Sequence, residues 1–273
     1  MTGLIILFMI GIVVGPICVA YLPKEIAYWQ MAAAEEMRLD GRLEEAILYL
    51  SRAIDKCPND STLWRQRAQW RMEARQFEQA LLDADRAVAL APGSAEGYMV
   101  RSQIYQHLGR HAQAVKDWSW LVEATRQRKG AEHASALNGR SYARALGGLE
   151  LEEAKKDIEA ALSIVGPNAA MLDTRGYLRY RRGEYAAARA DMEKAVALAE
   201  GEFQLYSRGA EKLRLGTADP RLLELELSRH AQATAVIRYH RALVYDRLGM
   251  QDRAEEDRRR VRQLGFEPND SLF

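Results

Sequence analysis

Residues with chemical reach are few and scattered. The five histidines are His107, His111, His133, His230 and His240. His107 and His111 have the i,i+4 spacing of a helical metal pair. Gly109 between them should end a helix, so they should not share a face, and no further ligands accompany them. There is no GxxxxGK[ST] loop, no GxGxxG turn and no HExxH helix. A Ser/His/Asp set cannot be read, because a triad is defined by geometry rather than by order in the chain. The carboxylate pairs Glu44–Glu45 and Glu152–Glu153 fall at predicted helix N-termini, where they complement the dipole instead of sharing a proton. The two cysteines, Cys18 and Cys57, form neither a disulfide framework nor a metal-ligand spacing. No catalytic, metal or cofactor-binding residue is assigned, and neither an enzyme nor a cofactor is expected.

One pairing of charged side chains does recur. Arg67, Arg101, Arg140, Arg175, Arg208 and Arg241 are followed by Asp83, Asp117, Asp157, Asp191, Glu224 and Asp257. Each acid lies 16 residues after its arginine, or 17 for Arg140 and Asp157. Two chemistries fit such a series. The arginines could line a groove and hold an anion, or each planar guanidinium could meet its own carboxylate inside the protein. A matched acid for every arginine favours the internal bridge. So does the first unit, where Ala33 and Tyr49 replace both partners together.

The spacing requires a repeating scaffold. Ala27–Asp60, Ser61–Ser94 and Ala95–Arg128 are units of 34 residues, and Ala134–Asn168 is a unit of 35. Ala169–Gly201, a degenerate unit Glu202–Thr234 and Ala235–Pro268 follow. Small residues recur where two antiparallel helices must cross closely. The eighth position is Ala34, Ala68, Ser102, Ser141, Gly176, Gly209 and Ala242; the twentieth is Ala46, Ala80, Ala114, Ala154, Ala188 and Ala254. Gly41, Gly109, Gly148, Gly183, Gly216 and Gly249 end the first helix of their units, and Pro58 and Pro92 stop the second. Two helices per period of about 34 residues, with this pattern, resemble the tetratricopeptide repeat (TPR) family.

The resemblance implies an all-α solenoid of helical hairpins, wound as a right-handed superhelix, with the first helix of each unit on the concave side. It places a partner-binding groove at the fifth, ninth and twelfth positions of the units. These are Arg65, Gln69 and Met72; Met99, Gln103 and Gln106; Asn138 and Tyr142; Asp173, Tyr177 and Tyr180; Tyr239 and Asp246. Amides, aromatics and methionine suit an extended peptide or a partner helix. The family also contains a clamp for acidic C-terminal tails. Met31 and Glu35 stand where its first residues would be, so it is not carried over.

Leu4–Leu22 carries no charge over nineteen residues, close to the span of a hydrocarbon core, and Tyr21, Tyr28 and Trp29 follow as interfacial anchors. This predicts a transmembrane helix within residues 1–23. Lys24, Arg38 and Arg42 after it place the repeats in the cytoplasm of a single-pass membrane protein. Gly11 and Gly15 form either a GxxxG face for a homodimer or simply two glycines of a membrane helix. The expected organisation is the anchor, residues 24–128 as three units, a connecting loop at 129–133, units at 134–201, the degenerate unit at 202–234, and the last unit and tail at 235–273. A net charge of +1 excludes a global field that draws nucleic acid. The function expected is a membrane-anchored, non-catalytic scaffold for an unidentified protein or peptide. The alternative is an RNA-binding helical repeat, which needs a basic groove; Arg65 is nearly the only groove cation.

Overall fold

The computed structural model describes residues 15–128, 130–213 and 219–269. These form twelve α-helices and no strand. They are α1 Gly15–Leu39, α2 Leu43–Lys56, α3 Ser61–Glu73, α4 Phe77–Leu90, α5 Ala95–His107, α6 His111–Thr125, α7 Ala131–Gly147, α8 Leu151–Val165, α9 Ala169–Arg181, α10 Tyr185–Leu213, α11 Pro220–Arg247 and α12 Gln251–Gln263. The chain divides into two compact units, residues 1–100 and 101–273.

The first unit holds α1 to α4 and the start of α5. Its core is Ile47, Leu50, Ile54, Leu63 and Trp70, interleaved with the small residues Ala34, Ala46 and Ala53. Asp60 caps α3 by accepting from the Thr62 amide at 3.0 Å, and its other oxygen accepts from the Tyr28 hydroxyl at 3.0 Å. That second bond ties α1 to the turn between α2 and α3.

The second unit repeats the design. Ala114, Ala154, Ala188 and Ala254, all at the twentieth position, have no exposed surface, because a second helix lies directly over each. Asn168 caps α9 through the Met171 amide. Arg181 of α9 donates to the carbonyls of Ala145 and Leu146, filling acceptors that the end of α7 leaves open. The turn between α9 and α10 depends on Gly183, whose φ of +79° is left-handed. Nothing lies within 4 Å of a Cβ built there, so the strain of a side chain is purely in the backbone. Gly183→Ala is expected to lower stability by about 1 kcal/mol, read as a shift in urea midpoint without a change in slope. Gly216 falls outside the described residues.

The degenerate unit is not set off as a separate hairpin. No turn interrupts the chain after Gly201: α10 runs on to Leu213, and α11 then runs from Pro220 to Arg247. Asp219 caps α11 through the Arg221 amide, with Pro220 as first residue. Two long helices thus replace four short ones. The second half of α11 packs directly on α9, and α12 closes the stack against α11.

The single-pass membrane placement requires correction. Among the described residues no helix is long and apolar enough to cross a membrane. The apolar stretch, where it is described, continues without a break into α1, which carries Lys24, Glu25, Glu35, Glu36 and Arg38. From Ala27 onward this helix is the first wall of the repeat core. Residues 4–14 of the expected span, and Gly11 of the expected dimer face, lie outside the described residues. The cytoplasmic assignment rested on that span and is withdrawn with it.

Candidate functional site

The recurring arginines and acids meet in five places. Arg67 Nε and Nη2 donate to the two oxygens of Asp83 at 2.8 and 2.7 Å. Arg101 does the same to Asp117, Arg140 to Asp157, Arg175 to Asp191 and Arg241 to Asp257, at 2.7–2.8 Å throughout. These are parallel two-point forks. The aspartates are almost fully buried; Asp83 is 2% exposed and Asp257 1%. Arg175 is held above its ordinary pKa by its bond to Asp191, against the opposing effect of burial. Arg208 and Glu224 lie on α10 and α11 and are both exposed, so the sixth pair does not repeat the buried fork. The sequence pattern continues there, and α10 and α11 still pack side by side, with the Tyr206 and His230 rings 4.1 Å apart, but these two side chains stay at the surface.

A second set of arginines escaped the sequence reading. Arg71, Arg144 and Arg179 stand four residues after the fork arginines and donate to the same aspartates at 2.8, 2.5 and 2.6 Å. In the last unit Arg238 fills this role towards Asp257. Where the position four residues on is a tyrosine, its ring lies near the fork arginine, as with Arg101 and Tyr105 at 5.9 Å and Arg241 and Tyr245 at 5.5 Å. The signal was present, since i and i+4 share a helix face and a carboxylate accepts more than two hydrogen bonds. Burial and the neighbouring Arg67 lower the Arg71 pKa, with Asp83 opposing them.

The expected groove residues separate into groups. Arg65 and Gln69 bond each other at 3.3 Å, and Arg65 borders a small polar recess with Ser61, Thr62 and Glu96. Met99 is exposed on α5. Gln103, Gln106, Asn138, Tyr142 and Asp173 come together around one cavity of about 370 Å³ in the second unit. Trp118, Ser135, Gly139, Ala170 and Thr174 complete its near walls, and Ala233, Val236 and Ile237 of α11 form the far wall.

Three expected groove residues need correction. Asp173, Tyr177 and Tyr239 are buried. Asp173 and Tyr177 are covered by His240 of α11, which has no exposed surface. Its Nδ1 lies 2.9 and 3.0 Å from the two Asp173 oxygens. A carboxylate only accepts, so the imidazole carries its proton on that nitrogen. The ring sits 4.5 Å from the Tyr177 ring and 6.0 Å from the Tyr142 ring. Tyr239 packs with Ala235 and Val261 in the core between α11 and α12. Tyr180 stays partly exposed beside the Tyr177 and Tyr185 rings. His107 and His111 are on different helices, with Gly109 left-handed between them.

Three residues that line the cavity each carry a polar atom with almost no accessible surface and no hydrogen-bond partner: Trp118 Nε1, Asn138 Oδ1 and the Tyr142 hydroxyl. Burial, with nearby Asp173 and Tyr177, raises the Tyr142 pKa well above its ordinary value, so it remains a neutral phenol. Among the described residues no lysine or arginine lines the cavity.

Comparison with known proteins agrees with this architecture. Residues 26–70 match the family model described as tetratricopeptide repeat. Sperm-associated antigen 1 of Rattus norvegicus is 27% identical over 99 residues, which is 36% of this chain and 11% of that protein. The chain therefore spans about a tenth of the length of the curated relatives it matches. A tetratricopeptide repeat protein from Parabacteroides merdae superposes with a TM-score of 0.57 at 16% identity, covering 89% of this chain and 94% of that one. PilW, a type IV pilus biogenesis factor, superposes with a TM-score of 0.60 at 13% identity, covering 90% and 96%. The matched repeat and the shared architecture identify the fold as an all-helical, TPR-like solenoid.

Proposed function

We propose that this chain is a non-catalytic interaction scaffold that seats an extended peptide or a helix of a partner protein against Gln103, Gln106, Asn138 and Tyr142. The observation that carries this reading is the cavity itself. It brings the amides Gln103, Gln106 and Asn138 together with an apolar wall of Ala233, Val236 and Ile237, a mixture that suits a peptide or a partner helix. The fold favours the same reading, since stacked helical hairpins present extended binding faces. The RNA-binding alternative is disfavoured because the recurring arginines have their forks turned inward on aspartates.

A photo-crosslinking amino acid at Gln106, compared with one at the exposed Glu159 on α8, tests the proposal in native extracts. A discrete adduct from position 106 alone is expected. Equal labelling from both positions, or none from 106, would contradict it.

A further inference from the structure

A second groove, of about 540 Å³, is built where the end of α8, the start of α9 and the middle of α10 meet. Its floor is Leu162, Pro167, Leu172 and Leu198, and its charged wall is Arg175 and Lys194. Among the described residues no carboxylate lines it. Arg175 is the fork arginine that its unit covers least, with its side chain 28% exposed against 11–19% for the other four. Its Nε and Nη2 hold Asp191. In the first fork the third nitrogen is used as well, since Arg67 Nη1 donates at 2.8 Å to the Ser51 hydroxyl, 16 residues earlier. Glu159 stands at the matching place before Arg175, yet no hydrogen bond joins them, and Arg175 Nη1 donates to none of the described residues. Asp191 must also serve Arg179, at 2.6 Å, and Glu159 lies 3.9 Å from Lys155. Lys194 is exposed and meets no carboxylate among the described residues. Four cations thus surround two carboxylates, and the surplus positive charge sits at the edge of an apolar floor.

The outer face of α10 continues that floor. Leu198 is 41% exposed and Leu205 72%, and both fall on the side of the helix that carries Lys194. Gly201, between the two leucines, has nothing within 4 Å of a Cβ built there, so another backbone can come close. We infer that this groove docks an acidic amphipathic helix of a partner protein, laid along α10. A carboxylate of that helix sits between Arg175 Nη1 and Lys194, and its apolar side chains cover Leu198 and Leu205. The surplus of positive charge selects an acidic segment over a basic one. A helix fits better than an extended strand, because the exposed leucines and Lys194 keep helical spacing over about 16 Å of α10. The groove is separate from the face formed by Gln103, Gln106, Asn138 and Tyr142 and does not depend on it. Glu159 is not part of its wall.

The test uses the full chain and a fluorescent stapled peptide helix, read by anisotropy. The peptide carries one glutamate with leucines four and eleven residues away, and is made with the glutamate at either end. Binding of one of the two peptides is expected. Glutamine in place of its glutamate should weaken binding about fivefold, and lysine should abolish it. Lys194→Glu should keep its Tm, because the side chain is exposed and unpaired, while losing the glutamate peptide about tenfold and gaining the lysine one. Leu198→Gln should weaken the glutamate and glutamine peptides alike, since it removes apolar contact and no charge. Equal binding of the three peptides, binding of neither orientation, or an order of affinities unchanged by Lys194→Glu would overturn the inference. Self-association of the chain that Lys194→Glu abolishes, without peptide binding, would seat a second copy in the groove and overturn it too. So would octanoate bound as tightly as the peptide, because a simple acyl anion needs no helix.

Discussion

Asp83→Ala should destabilise the protein by about 3–5 kcal/mol. The carboxylate is 2% exposed and accepts from Arg67 twice and from Arg71 once. Removing it leaves two guanidinium groups side by side with no counter-charge. Arg67 gains little from water, since its side chain is only 11% exposed. One bond to the Ser51 hydroxyl, at 2.8 Å, remains to it. Asp191→Ala should cost visibly less, because Arg175 and Arg179 are 28% and 29% exposed and can rehydrate. The ordering of the two losses matters more than either value. Urea unfolding of the full chain measures both, with circular dichroism as the probe. Equal, small losses would mean that the forks are surface ion pairs in effect, worth at most about 1 kcal/mol each.

Gly139→Ala is expected to lower stability by about 1–2 kcal/mol, while Gly176→Ala should be neutral or slightly stabilising. Both glycines are inside helices, where alanine is intrinsically preferred by about 1 kcal/mol. The difference lies in what a new methyl would meet. At Gly139 it falls 2.6–2.7 Å from three atoms of the Trp118 indole, a rigid ring wedged between α6 and α7. Overpacking of that kind costs about 1–3 kcal/mol and outweighs the propensity gain. At Gly176 it falls 3.0 Å from both Cγ and Cε of Met192 and 3.2 Å from its sulfur, a flexible side chain that needs to give by only a few tenths of an ångström. The Gly139 substitution would also displace Trp118 in the cavity wall, so its fluorescence emission should shift along with the unfolding midpoint. A neutral Gly139→Ala with unchanged emission would show that the indole is not held against α7.

What could be read from the sequence followed the period. Small residues at helix crossings repeat with the units, and so do the fork arginines and their acids, because each unit solves the same packing problem. Features that break the period were hidden. Elsewhere a helix begins at a capping side chain such as Asp60 or Asn168, or a left-handed glycine turns the chain. Between Glu200 and Glu202 there is neither a cap nor a proline, and α10 simply continues. At the next expected boundary the Thr234 hydroxyl donates back to the His230 carbonyl at 2.8 Å instead of capping a new helix. That bond leaves the α11 backbone intact. Because α11 runs on unbroken past the sixth unit, its second half packs on α9, and His240 meets Asp173 across 67 residues of sequence. No regularity within one unit could have announced that contact. Of the groove positions taken from the family resemblance, Gln103, Gln106, Asn138 and Tyr142 line a cavity. For Asp173 and Tyr177, the same chain supplies the cover.

The docking of α11 on α9 underlies the cavity and every functional statement drawn from it. It is tested most directly by NOE spectroscopy on protein with selectively labelled tyrosine and histidine. With ring centres 4.5 Å apart, the Tyr177 and His240 rings should give strong cross-peaks that vanish in His240→Ala. Assigned rings with no cross-peak between them would place α11 elsewhere and remove the far wall of the cavity.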